Sequence, residues 1–199
     1  MSKSIIIKPS VRQQYDKFMA RGRVLFFSAP CGFGKSSLAE ALLAEETVCA
    51  LTAGTPEYAL PEGEDWSVLL VDDLQQMQDE TEQQALCDLI RERGDRRFVL
   101  LSRGAPPGWL MAFQYAGLMT VLNADALLFD REDVRALFRR QEIPVSETEI
   151  SGILKETSGY PLGVAITAHN MAGGRAFGSE LIAQCYHEVF FYFEAAVYH

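Results

Sequence analysis

The sequence predicts an α/β fold, three layers deep with a mainly parallel sheet, followed by a small all-helical part. Three observations carry this. Apolar residues come in short continuous runs at 24–29 (VLFFSA), 68–71 (VLLV) and 98–101 (FVLL), with a weaker fourth at 48–51 (VCAL) and a fifth at 119–122 (MTVL). Continuous rather than alternating runs are the pattern of strands buried on both faces, as in a parallel sheet covered by helices. Helical patterns lie between the runs, so strand and helix alternate with right-handed crossovers. After about Leu128 only helical patterns remain.

Each helix has its own signal. Residues 36–46 (SSLAEALLAEE) are rich in helix formers. Residues 80–93 put Ala85, Leu86, Leu89 and Ile90 on one face and stop at Gly94, a C-terminal cap. Asp130 with Asp133 reads as an N-cap pair opening a helix over 132–141. Ser146 with Glu149 matches a capping box for a helix running to Thr157. Gly159 stops that helix, Pro161 starts the next one, through Ala172, and a last helix runs from Ser179 to the end. The longest loop is 54–65, with two prolines and four acids. The expected division is an α/β domain over 1–128 and a helical subdomain over 129–199.

The chain has 199 residues, and 18 Lys and Arg against 27 Asp and Glu give it a formal charge of −9. That balance argues against direct contact with nucleic acid, which needs clustered cations. It leaves neutral or magnesium-bound anionic ligands open. Cys31, Cys49, Cys87 and Cys185 form no CxxC pair and have no His at metal spacing, so neither a disulfide framework nor a zinc site is expected. His169, His187 and His199 likewise read as surface or helix residues. The first residues hold only three consecutive apolar positions, too few for a signal-peptide core, and no stretch has the apolar length to span a bilayer. A cytoplasmic location is the expectation.

The most informative stretch is Ala29-Pro30-Cys31-Gly32-Phe33-Gly34-Lys35-Ser36, with Ser37 following. It matches the P-loop pattern G-x-x-x-x-G-K-[ST] everywhere except its first position, where Ala29 stands for Gly. Gly32 and Gly34 let backbone N–H groups turn toward a phosphate chain, and the following helix adds its positive end. Lys35 would reach the β- and γ-phosphates and Ser36 would offer its hydroxyl to Mg²⁺. Cys31 and Phe33 read as a small filler and a packing residue. The predicted class is therefore a P-loop NTPase with a helical lid.

Two further strand ends bear charge. The run 68–71 leads into Asp72 and Asp73; Asp72 can hold a metal through its water shell and Asp73 can orient or deprotonate an attacking water. The run 98–101 leads into Ser102 and Arg103, a polar residue and a cation where open parallel sheets bind ligands, and Arg103 can sense or stabilise phosphate charge. Trp109, after Pro106-Pro107, is expected to cover apolar surface.

The combination APCGFGKSSL, LLVDDLQ, LLSRGAPP and SGYPLG resembles the ATPase module of the STAND NTPases and, more narrowly, the large ATP-binding LuxR-type transcriptional regulators of the maltose-activator kind. It runs from about residue 5 to the end. In that family an Ala commonly opens the P-loop. The resemblance implies that Lys35 and Ser36 bind phosphate and Mg²⁺, Asp72 holds the metal, Asp73 sits at the water and Arg103 is the sensor arginine. Pro161 matches the family's GxP motif, which contacts nucleotide from the lid and stabilises a closed, ADP-bound state. Only about a dozen loop residues precede Trp66 where the family has additional helices, which implies an abbreviated sheet whose strand order stays open. Gln75 stands where members often carry His, so a role for that His is absent. The family continues into a winged-helix region, a sensor array and a DNA-binding motif; the chain therefore reads as an excised fragment or truncated relative. Its apolar ending, Val189-Phe190-Phe191-Tyr192-Phe193, is expected to need a packing partner.

The reading is a switch module that binds ATP or ADP with Mg²⁺ and hydrolyses ATP slowly. Expected partners are nucleotide, the other domains of a full-length regulator and, nucleotide-dependently, further copies of the chain, with no DNA contact by this segment and no membrane. A small-molecule kinase, with Arg131, Arg135, Arg139 and Arg140 over the phosphates, is one alternative. A nucleotide-binding interaction module without useful turnover is the other.

Overall fold

The computed structural model describes residues 5–197, and side chains over the same span apart from 193 and 195–197. The chain divides into two compact units. One comprises Pro9–Pro30 and Lys35–Ala126. The other comprises Met1–Lys8, Cys31–Gly34 and Leu127–His199. The division is not linear along the chain: the N-terminal segment and four residues of the phosphate loop group with the helical part.

The first unit is built on a five-stranded sheet of β1 (Val24–Ser28), β2 (Val48–Thr52), β3 (Val68–Asp72), β4 (Arg97–Ser102) and β5 (Met119–Asn123). The order is β2-β3-β4-β1-β5 and every pairing is parallel. The short connection before Trp66 has not cost the sheet a strand, since all five apolar runs pair. β1, β3 and β4 are flanked on both sides and almost wholly buried. β2 corrects the expectation of a doubly buried strand. It pairs only with β3, and its side chains alternate between exposed and half-buried. An edge strand has no neighbour to cover it, which is why its run looked weaker.

Alternation along the strands gives the sheet two apolar faces. Val24, Phe26, Leu69, Val71, Phe98 and Leu100 pack with Trp66, Leu110, Phe113 and with Leu86 and Ile90 of α3 (Glu80–Glu92). Trp109 is half-buried against the same cluster. Leu25, Phe27, Val99 and Leu101 point to the opposite face and are buried too. There α1 (Pro9–Arg21) packs on β1 and β5, and α2 (Lys35–Leu42) packs on β4. The helix α1 is a feature the sequence reading did not anticipate; its buried Val11, Tyr15 and Phe18 lie at helical spacing. α2 ends at Leu42 rather than Glu46, because the Glu46 N–H turns back onto Leu43 O and starts the descent into β2. A short α4 (Met111–Tyr115) precedes β5, and a single turn, α5 (Ala124–Leu127), follows it.

The second unit holds α6 (Arg131–Arg140), α7 (Glu147–Thr157), α8 (Pro161–Ala172) and α9 (Ser179–Val197). Both expected caps form: the capping box of Ser146 with Glu149 at α7, and at α6 the Asp130–Asp133 N-cap pair, which proves to be a full capping box as well. Val134, Leu137, Phe138, Ile150, Ile153, Val164 and Ala168 make its core, and Ile6 packs on that core. Lys8 anchors the N-terminal segment, donating to Leu128 O and pairing with the buried Asp133 at 3.1 Å. On α9, Tyr186, Phe190, Phe191 and Tyr192 are exposed, as the apolar ending suggested. The Phe193 side chain and His199 lie outside the described residues. No described helix is long and apolar enough to cross a membrane.

Candidate functional site

The strand order places β4 between β3 and β1, so the C-terminal ends of all three are adjacent. Register brings Ser28 beside Ser102. Ser102 does not face outward as its position suggested. It is buried, its hydroxyl accepts the Gly104 N–H, and its carbonyl accepts the Ala29 N–H. Ser102 therefore fastens the loop after β4 and the start of the phosphate loop.

Within the sheet unit the charged residues converge. Lys35, the first residue of α2, is 9% exposed, and its Nζ donates to Ala29 O at 2.7 Å and Pro30 O at 3.1 Å. Ser36 Oγ donates to Asp72 Oδ2 at 2.6 Å, across the gap from α2 to the end of β3. The other carboxylate oxygen, Oδ1, accepts the Asp73 N–H at 2.7 Å. Asp73 itself sits at φ 49°, in the left-handed region that Asp tolerates better than most residues. Its Oδ1 accepts from Gln75 Nε2 at 2.6 Å and from Arg103 Nε at 3.4 Å. Gln75 Oε1 accepts the Arg103 N–H at 3.0 Å. The amide of Gln75 thus joins the two strand ends, giving to a carboxylate and taking from a backbone donor. Sequence reasoning assigned Gln75 no role; nothing in its spacing reveals the link, which depends on β4 lying next to β3. Ser37 follows Ser36 on α2 and is half-buried.

The tip of the phosphate loop belongs to the helical unit, where one group of the α8 N-cap and one of its first turn meet it. Tyr160 Oη donates to Cys31 O at 3.0 Å, and the Leu162 N–H donates to Gly32 O at 3.2 Å. The Phe33 and Tyr160 rings are tilted, with centroids 5.2 Å apart, so Phe33 does pack. Gly32 (φ 79°) is required here twice over. Its backbone is left-handed, and a Cβ would lie 1.7 Å from Tyr160 Oη. Gly34 shares the positive φ, at 73°, with open space around it. Burial, with Cys31 and Tyr192 nearby, holds the Tyr160 hydroxyl well above the usual phenol range, so it stays a donor. Pro161 is buried as the first residue of α8. Three of the four arginines that a kinase-type lid would direct at phosphates are engaged within the helical unit: Arg131 and Arg135 pair with Glu147, and Arg140 donates to Ile5 O, while Arg139 is exposed.

The donor set suits magnesium. Ser36 and Asp72 offer hard oxygen atoms, and no cluster of three or more His, Cys, Asp or Glu able to cage a metal exists among the described residues. Mg²⁺ is typically bound through one or two carboxylates, with water and substrate phosphates completing the shell.

No protein-family profile matches the sequence, and no curated protein matches it. Solved structures do resemble it. A STAND protein with a tetratricopeptide repeat sensor from Pyrococcus horikoshii aligns over 94% of this chain and 33% of its own, at TM-score 0.64 and 12% identity. A variant of RuvB from Thermotoga maritima aligns over 90% and 68%, at TM-score 0.59 and 14% identity. A Walker-type ATPase of Pyrococcus abyssi aligns over 82% and 67%, at TM-score 0.56 and 13% identity. Likeness at such identity is a likeness of fold, and the chain spans only a third of the STAND protein. The chain has the P-loop ATPase fold: a five-stranded all-parallel sheet flanked by helices, with a helical unit beside it in sequence.

Proposed function

We propose that the chain binds ATP or ADP with Mg²⁺ and hydrolyses ATP slowly, as the switch module of a multidomain regulator of the STAND type. The observation that carries this reading is the 2.6 Å link between Ser36 and Asp72, with Lys35 one residue away on the same helix end. Phosphate binding would draw Lys35 from the Ala29 and Pro30 carbonyls onto the nucleotide. Ser36 and Asp72 would hold Mg²⁺, whose chemistry is to neutralise charge on the β- and γ-phosphates. Asp73 would orient water, and Arg103 would stabilise charge on the γ-phosphate. The role in transcription, and the likeness to LuxR-type regulators, rest on the four sequence motifs.

One observation favours a second reading, binding without useful turnover. Asp73 Oδ1 already takes two donors, from Gln75 and Arg103, and a carboxylate so restrained is a poor candidate for rapid proton abstraction. The engagement of Arg131, Arg135 and Arg140 within the helical unit counts against a kinase.

The test is to identify any nucleotide released from the denatured protein, then to titrate ATP and ADP with and without Mg²⁺ and to measure phosphate release. Lys35→Ala is the control. Losing charge-assisted bonds to phosphate weakens binding by about 1.5–3 kcal/mol, or roughly 10- to 150-fold. Folded wild-type protein that binds neither nucleotide would sink the reading.

A further inference from the structure

Helix α8 begins at Pro161 after its N-cap Tyr160, and two donors of that opening, a hydroxyl and a backbone N–H, go to the phosphate loop. Tyr160, the N-cap, makes no side-chain capping bond to its own helix; its hydroxyl goes to Cys31 O. The Leu162 N–H, one of the donors a helix start leaves without an internal partner, goes to Gly32 O. A trans peptide group is planar, with its C=O and N–H pointing in opposite directions. Holding Cys31 O therefore sets the direction of the Gly32 N–H, and holding Gly32 O sets that of the Phe33 N–H. Both amides are turned away from α8.

We propose that Tyr160 is a positioning residue: its hydroxyl presets the amides of the phosphate loop for a phosphate chain and ties the loop's nucleotide affinity to helix α8. This rests on the nucleotide reading above. The contact is built into the local sequence. Gly32 has no side chain because the Tyr160 hydroxyl occupies that volume. Phe33 steadies the ring from one side, and Pro161 fixes the backbone immediately after it. The loop needs such support. Its two glycines at positive φ are permissive, and ordering each residue costs about 1–2 kcal/mol of conformational entropy. Paying part of that before ligand arrives is what preorganisation means.

The test is Tyr160→Phe, which keeps the ring against Phe33 and removes only the donor. Three quantities are read: ADP and ATP affinity with Mg²⁺ by calorimetry, amide exchange across residues 31–34 in the nucleotide-free protein, and the melting temperature. We expect both nucleotides to bind about three- to tenfold more weakly, the range of one net hydrogen bond. Exchange at Gly32 and Phe33 should quicken while the rest of the chain is unchanged. Equal or tighter binding by the variant overturns the proposal. A loss of binding accompanied by faster exchange throughout the helical unit also overturns it, because the residue would then be merely structural. If wild type binds no nucleotide, the functional reading fails, and unaltered exchange at 31–34 in the variant refutes the positioning role separately.

Discussion

Gln75 offers the most direct perturbation of the sheet unit, because one amide carries two bonds and neither belongs to the phosphate loop. Gln75→Leu keeps the size of the side chain and removes both. The bond from the Arg103 N–H is neutral and worth about 0.5–1.5 kcal/mol; the bond to Asp73 Oδ1 is charge-assisted and worth about 1.5–3 kcal/mol where water is excluded. Water is not excluded here. The Asp73 side chain is 37% exposed and Arg103 35%, so solvent replaces much of what is lost. A net cost of about 1–2 kcal/mol follows, and for a chain of this length it lowers the melting temperature by roughly 2–8 °C. Freed from Gln75, Asp73 keeps only the longer Arg103 contact while its backbone stays left-handed. Because the proposed role of Asp73 is to orient water rather than to take its proton, a looser carboxylate should lower phosphate release several-fold, with nucleotide affinity held within about twofold, since the donors of Lys35 and Ser36 are untouched. Thermal melting, calorimetry and a phosphate-release assay on the same preparation separate these quantities. A variant that melts and turns over like wild type would refute the claim that Gln75 organises the strand ends, and an equal loss of affinity would assign the network to binding.

Three other substitutions address the helical unit. Gly32→Ala should destabilise by about 2–3 kcal/mol in denaturant titrations, combining left-handed strain with expulsion of the Tyr160 hydroxyl, whereas Gly34→Ala, with open space around it, should show the strain alone at about 1–2 kcal/mol. Equal effects would remove the steric argument. Lys8→Met strips the buried Asp133 of its cation and should cost about 2–3 kcal/mol, below the range for a fully buried pair because Lys8 is 15% exposed and Asp133 keeps its capping bond. The same variant should alter the acid limb of stability. Burial works to raise the Asp130 carboxyl, but the Asp133 N–H, Lys8 and the Glu132 N–H outweigh it and hold it below the usual carboxylate range. Its stabilising contribution is thus complete above the unfolded pKa of about 4 and lost as pH falls through the lower folded value. Lys8→Met should soften that loss, and an unaltered profile would show that Lys8 contributes nothing to it.

How far the sequence revealed this molecule depends on the range of each interaction. The strands were legible because burial on both faces leaves a mark on every residue of a run, and β2 was faint for the same reason, as an edge strand with one neighbour. The caps at Asp130 and Ser146 were legible because both partners lie within three residues. Helix α1 escaped notice because its apolar stripe is only three residues wide within a polar stretch. The phosphate loop, Ser36 and Asp72 were named from motifs, and the structure brings Ser36 and Asp72 into contact although 36 positions separate them.

What could not be read is the wiring between distant elements. Gln75 reaches Arg103 only because β4 is inserted between β3 and β1, and strand order is not written in any local pattern. Tyr160 reaches Cys31 across 129 positions, through a side chain to a backbone carbonyl, an acceptor that every residue carries and that leaves no trace in sequence. The visible residue at that end of the helix, Pro161, is buried and fixes the chain; the hydroxyl beside it makes the bond. The motif Gly159-Tyr160-Pro161 therefore divides its labour. The glycine, at φ 76° with the Phe129 carbonyl only 2.3 Å from where its Cβ would stand, turns the chain, the proline begins the helix, and the tyrosine carries the contact with the loop. A change at Tyr160 should thus be felt in the loop before it is felt in the fold, whereas changes at its two neighbours should act in the reverse order.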